Sequence, residues 1–391
     1  MKSRAKLMIP GPVDIWDETL EALGQQVIPN YGPEWNALYG ETIDLLQQVF
    51  QTKNDIIIMT SPGSGALETG LASLFTAGEK IAVVSNGHFA NRLLEIMLAY
   101  RYQAIIVEDE WGKASNLNKM QATLKQHPDI AGIAVVANET STGVRNPVRE
   151  LAELAHERDV PIFVDAVSAM GGYSLPVDAW ELDVVCTSSN KALEMAPGLG
   201  ILSVSERAWE LVEAKKDQGD RGWYYNLSNW KWYRENRPTW PYLTTVATGL
   251  VLALRASLKR IVEVETLAGH WARYAWTQKV VRAGLRNIGF EMLAEDEVAS
   301  FTVTTVCKRH DMADVMGLQE YMFERHGFLL ATVMGPLADG ALRISHMGQA
   351  GSRDYLVPCL LGIEDFVRSI KGVDIPHGAS LIGLGEDETW Y

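Results

Sequence analysis

The stretch "PIFVDAVSAMGG" (161–172) decides how the chain is to be read. Its opening residues are apolar on consecutive positions rather than alternating, which is the pattern of a strand buried on both faces. Asp165 closes that strand, where a carboxylate is costly unless it is paired or hydrogen-bonded. It reads either as a turn or helix-cap aspartate or as the counter-ion of a buried cation.

Working outward, the same kind of run recurs at "DIIIMT" (55–60), "KIAVVS" (80–85), "QAIIVE" (103–108), "GIAVVA" (132–137), "DVVCTS" (183–188) and "GILSVS" (200–205). Helical patterns such as "ALETGLASLFTAG" (66–78) and "PVRELAELAHERD" (147–159) lie between many of them. Strand–helix alternation over this length predicts an open α/β sheet, largely parallel, with ligands held outside the carboxyl ends of its strands. After about residue 250 the pattern changes. A long helical stretch (246–285) is followed by strand-like "SFTVTTV" (300–306), a helix near 311–326 and "ALRISHM" (341–347), which predict a smaller α+β domain. The aromatic-rich segment 219–243 reads equally as a packing loop or subunit contact and as an active-site wall, and the end "GASLIGLGEDETWY" (378–391) as a flexible tail.

Composition narrows the function. The 391 residues are 47% hydrophobic and 21% charged, ordinary for a globular protein. A net charge of −14 without basic clusters argues against nucleic acid as a partner. No 18-residue apolar run predicts a membrane span, and the N-terminus lacks the apolar core of a signal peptide. Three cysteines, Cys186, Cys307 and Cys359, have neither zinc-ligand spacing nor the even number of a disulfide framework, so no metal and a reducing, cytoplasmic location are expected.

Other segments share the position of Asp165, just after a strand. "TSPGSGALETG" (60–70) leads through Gly63, Ser64 and Gly65 into a helix, whose free N–H groups suit a phosphate, although a plain tight turn explains any single Gly-x-Gly. In "NGHFANR" (86–92), Phe89 is either core or a ring for a planar ligand. "ANETSTGVRNP" (137–147) is a capped loop or a polar cradle. Lys191 stands alone among small residues in "TSSNKALEMAPGLG" (187–200), after the next strand. Neighbouring strand ends would bring its amine to the carboxylate of Asp165. A phosphate cradle, an aromatic face, a carboxylate for a ring nitrogen and a lysine for an aldehyde are together what pyridoxal 5'-phosphate requires. Burial near cations would lower the pKa of that lysine, as its chemistry needs.

These residues also carry a resemblance. "VDAVSAMGG" (164–172), "SSNKAL" (188–193) followed by "PGLG" (197–200), and "LRISHMG" (342–348) resemble class V aminotransferases of fold-type I, in the alanine–glyoxylate and serine–pyruvate group, and the likeness spans nearly the whole chain. It implies a large domain with a mostly parallel seven-stranded sheet (15–255), a smaller C-terminal α+β domain (256–375), an N-terminal extension (1–14), a flexible tail (376–391) and a homodimer. Position by position, Lys191 looks like the lysine that bonds the cofactor's aldehyde, and Asp165 like the partner of its ring nitrogen. Phe89 looks like the stacking residue, with Val167 under the ring. Gly63, Ser64 and Gly65 look like the phosphate loop, with Asn190 nearby. Ser141 or Thr142 would bond the ring's phenolic oxygen, and Arg343 would take the substrate carboxylate.

Locally, "NYGPEWNALY" (30–39), "HPDIAGIAVVANETSTGVRNP" (127–147) and "VSERAW" (204–209) look most like pyridoxamine–pyruvate aminotransferase, which takes a vitamin amine lacking the phosphate. Against that, Ser61 and Met334 stand where that enzyme has a glutamate and a second arginine, and a phosphate-bearing cofactor is the expectation. Relatives contribute a Thr-Pro segment of the neighbouring chain to the phosphate. Here "TWPYLTTV" (239–246) leaves Tyr242, Thr244 or Thr245 as substitutes. The resemblance implies a transaminase moving an amino group from a small donor to an oxo acid such as pyruvate or glyoxylate. A lyase or desulfurase of the same fold is the competing chemistry, for which no cysteine is well placed. A cofactor-free scaffold is the non-enzymatic alternative, which the intact Asp165, Lys191 and Arg343 set disfavours.

Overall fold

In the computed structural model, which describes residues 4–218, 221–370 and 372–385, the seven apolar runs form one seven-stranded sheet. Strand β1 (Lys6–Leu7) and helices α1 (Asp17–Leu23) and α2 (Pro33–Phe50) precede it. The chain then alternates through β2 (Asp55–Thr60), α3 (Gly63–Leu74), β3 (Lys80–Ser85), α4 (His88–Ala99), β4 (Gln103–Glu108), α5 (Leu117–Gln126) and β5 (Ile130–Val136). A two-stranded hairpin, β6 (Asn138–Glu139) and β7 (Val144–Arg145), leads to α6 (Val148–His156), β8 (Ile162–Asp165), β9 (Val184–Ser188), β10 (Leu199–Val204) and α7 (Glu206–Ala214).

The strand order is β2-β10-β9-β8-β5-β3-β4. β4, β3, β5, β8 and β9 run parallel, whereas β10 is antiparallel to both of its neighbours. Every residue of β8, β9 and β10 is buried, which is why their sequences are apolar without alternation. β4 at the edge is partly exposed and carries Gln103 and Glu108 at its ends.

The aromatic-rich segment forms α8 (Leu227–Asn236), and residues 219 and 220 lie outside the described residues. Trp230 and Tyr242 are buried there, whereas Trp223 and Trp232 are exposed. The stretch 246–285 is not one helix. It divides into α9 (Thr248–Lys259), a π-helical turn (Arg260–Val264) and α10 (Leu267–Asn287). The break falls at Thr266, whose φ of 63° leaves the helical region and whose hydroxyl caps α10 at Gly269 N. Side-chain periodicity carries no warning of a backbone reversal between two helices whose patterns run on.

Beyond α10, strands β11 (Glu291–Met292), β12 (Val303–Cys307), β14 (Ala331–Thr332) and β15 (Ala341–Ser345) make a second, antiparallel sheet in the order β11-β12-β15-β14. Between them lie α11 (Met316–Tyr321), which continues in a π-helical turn to His326, and β13 (Phe328–Leu329). α12 (Arg353–Ser369) follows. β13 pairs with β1, so the N-terminal segment is part of this second region rather than an appendage to the first. Met8 is fully buried in the same apolar cluster as Val280, Leu342 and Leu356.

The expected flexible tail begins too early at 376. Ala379–Leu384 forms a 3-10 helix in which Ser380 is buried, its N–H and hydroxyl both donating to Glu364 at 2.8 Å. Small polar residues hide such docking, because a buried carboxylate on α12, not tail composition, supplies the acceptor. Residues 386–391 of that tail lie outside the described residues.

Candidate active site

The carboxyl ends of β5, β8 and β9 meet in register, with Asp165 between Val136 and Cys186. Its Oδ1 accepts from Val167 N at 2.9 Å, which fixes the following turn. Burial pushes the Asp165 carboxyl up to about 7, and Glu139 pushes the same way, while Lys191 and Arg92 oppose. A carboxylate in this setting gains most from a further cation.

Lys191 leaves β9 through Ser189 and Asn190. Ser189 Oγ donates to Ala196 O at 2.7 Å and accepts from Leu199 N at 3.3 Å, closing the loop on itself. Glu194, three residues on, has φ 55° and no exposed surface. It accepts from Trp16 Nε1 at 2.6 Å, from Arg273 Nη2 and Tyr274 OH at 2.8 Å each, and from Arg260. These cations hold its carboxyl well below the usual range despite burial, and they anchor the Lys191 loop to α10. Burial pulls the Lys191 ammonium down to about 8, Arg343 adds to the effect and Asp165 opposes it. Its Nζ donates to Pro10 O, on the N-terminal segment.

The phosphate-loop candidates form the first turn of α3. Pro62 precedes it, no side chain caps it, and a helix start leaves N–H groups without intrahelical acceptors. A Cβ on Gly63 would stand 2.9 Å from Ser188 Cβ and 3.2 Å from Val167 Cγ2, and one on Gly65 would stand 2.9 Å from Ser61 Cβ. The glycines therefore let the helix start lie against the turns after β8 and β9. Ser188 Oγ donates in turn to Asn190 Oδ1 at 3.0 Å. Arg92, on α4, donates through Nη1 to Ser64 Oγ at 3.1 Å.

Phe89 is half-buried in the first turn of α4. Phe89 N and Ala90 N donate to Glu139 Oε2 at 3.0 and 3.1 Å. Ser141 is occupied differently from the expectation. Its hydroxyl donates to Glu139 and accepts from His88 N at 2.9 Å, so its one proton is committed within the protein. Thr142 is the freer of the pair, its hydroxyl making a long 3.5 Å contact with Glu139 O.

Arg343 lies on β15, opposite Thr305 of β12 and Ala331 of β14. It is 7% exposed, and its Nε and Nη2 both donate to Thr332 O, at 3.1 and 2.9 Å. Among the described residues no carboxylate lies within ion-pair distance of it. Burial lowers the guanidinium to about 10, and only the more distant Glu139 opposes.

The structure thus brings Lys191 under the influence of both Asp165 and Arg343, and gathers Gly63, Val167, Ser188 and Asn190 by contact. Sequence reading missed Glu139, Arg92, Glu194 and Pro10. Glu139 carries the signal that singled out Asp165, a carboxylate just after a buried strand. A helix arginine and a backbone carbonyl carry none. Tyr242 is excluded as a phosphate contact for a neighbouring chain. It is fully buried in its own chain, accepting from Trp35 Nε1 at 3.0 Å and donating to Asn30 O, whereas Thr244 and Thr245 are exposed. The donor set fits pyridoxal phosphate: glycine-cleared helix N–H groups and Arg92 for the phosphate, a buried carboxylate for the ring nitrogen and a partly deprotonated amine for the aldehyde.

Comparison with known proteins agrees. The family model for aminotransferase class-V matches residues 18–322. An uncharacterized aminotransferase of Methanocaldococcus jannaschii is 33% identical over 90% of this chain and 89% of its own. Pyridoxamine–pyruvate transaminase of Mesorhizobium japonicum is 27% identical over 90% and 89%. The crystal structure of ureidoglycine–glyoxylate aminotransferase from Bacillus subtilis superposes with a TM-score of 0.91 at 25% identity, covering 98% of each chain. The chain belongs to the class-V aminotransferases, pyridoxal-phosphate enzymes of fold-type I.

Proposed function

We propose that this class-V aminotransferase works as a homodimer and moves an amino group from a small amino acid to pyruvate or glyoxylate, in two half-reactions at one site. The observation that carries the reading is Arg343, a buried guanidinium without a carboxylate partner among the described residues. Such a charge is poorly compensated until an anion arrives, and its planar fork pairs both oxygens of a substrate carboxylate. When bound, pyridoxal phosphate supplies an aldehyde for the amine and a ring that withdraws electrons from the substrate Cα.

The chain's own residues supply the rest. Lys191, with its amine close to half-deprotonated near pH 8, would take the proton from the substrate Cα and deliver it to the carbon that carried the cofactor's aldehyde, and run the same transfer backwards in the second half-reaction. Asp165 keeps a proton on the ring nitrogen. Gly63, Ser64 and Gly65, with Asn190 and Arg92, hold the phosphate. Phe89 and Val167 would confine the ring, and Thr142 would meet its phenolic oxygen. Exposed Thr244 and Thr245 are the candidates that would reach the phosphate of the partner subunit. Arg343 orients each substrate so that the Cα–H bond stands against the ring face.

The vitamin-amine reading is weaker because Ser61 puts a neutral hydroxyl beside the start of α3, donating to Pro62 O at 3.1 Å, where a carboxylate would repel phosphate. The discriminating experiment exposes the purified holoenzyme to amino acids, their decarboxylated amines and pyridoxamine, and follows the cofactor spectrum. Amino acids convert the cofactor and the matching amines do not. In Arg343→Gln, kcat/KM for every carboxylate substrate falls by about a hundredfold or more. Equal turnover of an amino acid and its decarboxylated amine refutes the reading, and turnover of pyridoxamine with pyruvate alone establishes the alternative.

A further inference from the structure

Helix α4 starts without a capping side chain of its own, because Gly87 occupies its N-cap. Its first N–H groups are nevertheless satisfied from across the site. His88 N donates to Ser141 Oγ at 2.9 Å, and Phe89 N and Ala90 N share Glu139 Oε2. The other oxygen, Oε1, accepts from Ser141 N at 3.0 Å and from the Ser141 hydroxyl. Glu139 has no exposed surface. A buried carboxylate is costly and a local serine cap is the common solution, so the arrangement calls for a reason beyond closing a helix. Gly87 makes room for it, since a Cβ there would overlap the Glu139 side chain and stand 2.6 Å from Ser141 Oγ.

We propose that Glu139 is a positioning residue: by capping α4 from the loop after β5, it locks the Phe89 ring and the Ser141–Thr142 loop into one unit and so fixes where the cofactor ring lies. The proposal rests on the reading of Phe89 as the face against that ring. The charge of Glu139 also raises the pKa values of both Asp165 and Arg343.

The test uses the holoenzyme and its apo form. Glu139→Gln keeps the shape but turns one acceptor into a donor facing N–H groups. Its cofactor dissociation constant rises about fivefold or more, on the order of one lost helix cap. The visible circular dichroism of the bound cofactor changes, while far-ultraviolet dichroism at 25 °C does not. The double variant Gly87→Ser/Glu139→Ala places a local cap where the Glu139 side chain stood, because φ at position 87 is extended and the Ser141 hydroxyl, freed of its Glu139 acceptor, can turn aside. It recovers affinity and the visible band toward wild type. Phe89→Leu, the control for the underlying reading, alters the same band. If Glu139→Gln lowers only the melting temperature and leaves band and affinity unchanged while Phe89→Leu alters them, the proposal is overturned. If Phe89→Leu leaves the band unchanged, the reading of Phe89 fails and the proposal falls with it.

Discussion

Lys191 is depressed first by burial and then by the Arg343 guanidinium, and the sign of each effect can be tested on one atom. The apoenzyme reacts with pyridoxal phosphate through the neutral amine, so the second-order rate of reconstitution rises with pH and is half-maximal near pH 8. Removing the nearby positive charge in Arg343→Gln stabilises the ammonium and moves that midpoint to higher pH. Stopped-flow absorbance checks this, and superposed profiles would exclude the coupling. Asp165 gives the opposite linkage. Its folded pKa of about 7 lies above the ordinary 3.8, so its protonation favours the folded apoenzyme below about pH 4, and that contribution is lost as pH rises through 7. The urea-derived unfolding free energy of apo wild type, relative to apo Asp165→Asn, therefore falls between about pH 4 and 7, by at most about 1.4 kcal/mol per pH unit, and levels off above. A flat difference would mean that the carboxylate is already ionised. The positions of both at strand ends were legible in the sequence, since each is an isolated charge beside a buried strand. Glu139 carried the same mark, a carboxylate just after a buried strand, but the small polar residues around it drew the reading to their hydroxyls instead.

At the scale of elements, the seven strands were legible nearly to the residue because burial on both faces leaves a continuous apolar run. The antiparallel pairing of β10 was not, since direction leaves no trace in composition. Nor was the break between α9 and α10, set by one φ angle. The first turn of α3 was legible as glycine-rich but not the reason for its glycines, which is the proximity of Ser188 and Val167. That reason makes a prediction. In Gly63→Ala the new methyl meets Ser188 Cβ, which is fixed to its backbone, and crowds Val167 Cγ2 on a β-branched side chain stiff at χ1, so the helix start is pushed off the cradle. Affinity for pyridoxal phosphate drops by about tenfold or more with far-ultraviolet dichroism unchanged, whereas affinity for pyridoxal, which has no phosphate, drops less. Fluorescence titration of the apoenzyme with both ligands decides it. Equal losses would place the damage at the ring rather than at the phosphate.

Across the whole molecule, the N-terminal segment joins the second sheet to the site on the first. β1 pairs with β13, Met8 O accepts from Ser345 N at 2.8 Å, and Asp14 accepts from Leu7 N at 2.8 Å and Tyr355 OH at 3.0 Å. Between these anchors Pro10 O takes the Lys191 amine. No periodicity marks a segment whose main anchors, β13, Ser345, Tyr355 and Lys191, lie far along the chain, so sequence alone made it an extension. Gly11, the residue after Pro10, has no room for a side chain beside Lys191. Its φ is +111°, and a Cβ there would come within 2.9 Å of both Cδ and Cε of Lys191. Gly11→Ala therefore combines backbone strain with displacement of the amine. Gly32→Ala separates the two, because φ there is +96° but a Cβ meets nothing within 4 Å. Strain alone lowers the unfolding midpoint in both variants, by about 1–2 kcal/mol. Only Gly11→Ala also slows reconstitution with pyridoxal phosphate, by about tenfold or more. If both variants reconstitute at the wild-type rate, the N-terminal segment steadies the fold but has no hold on Lys191.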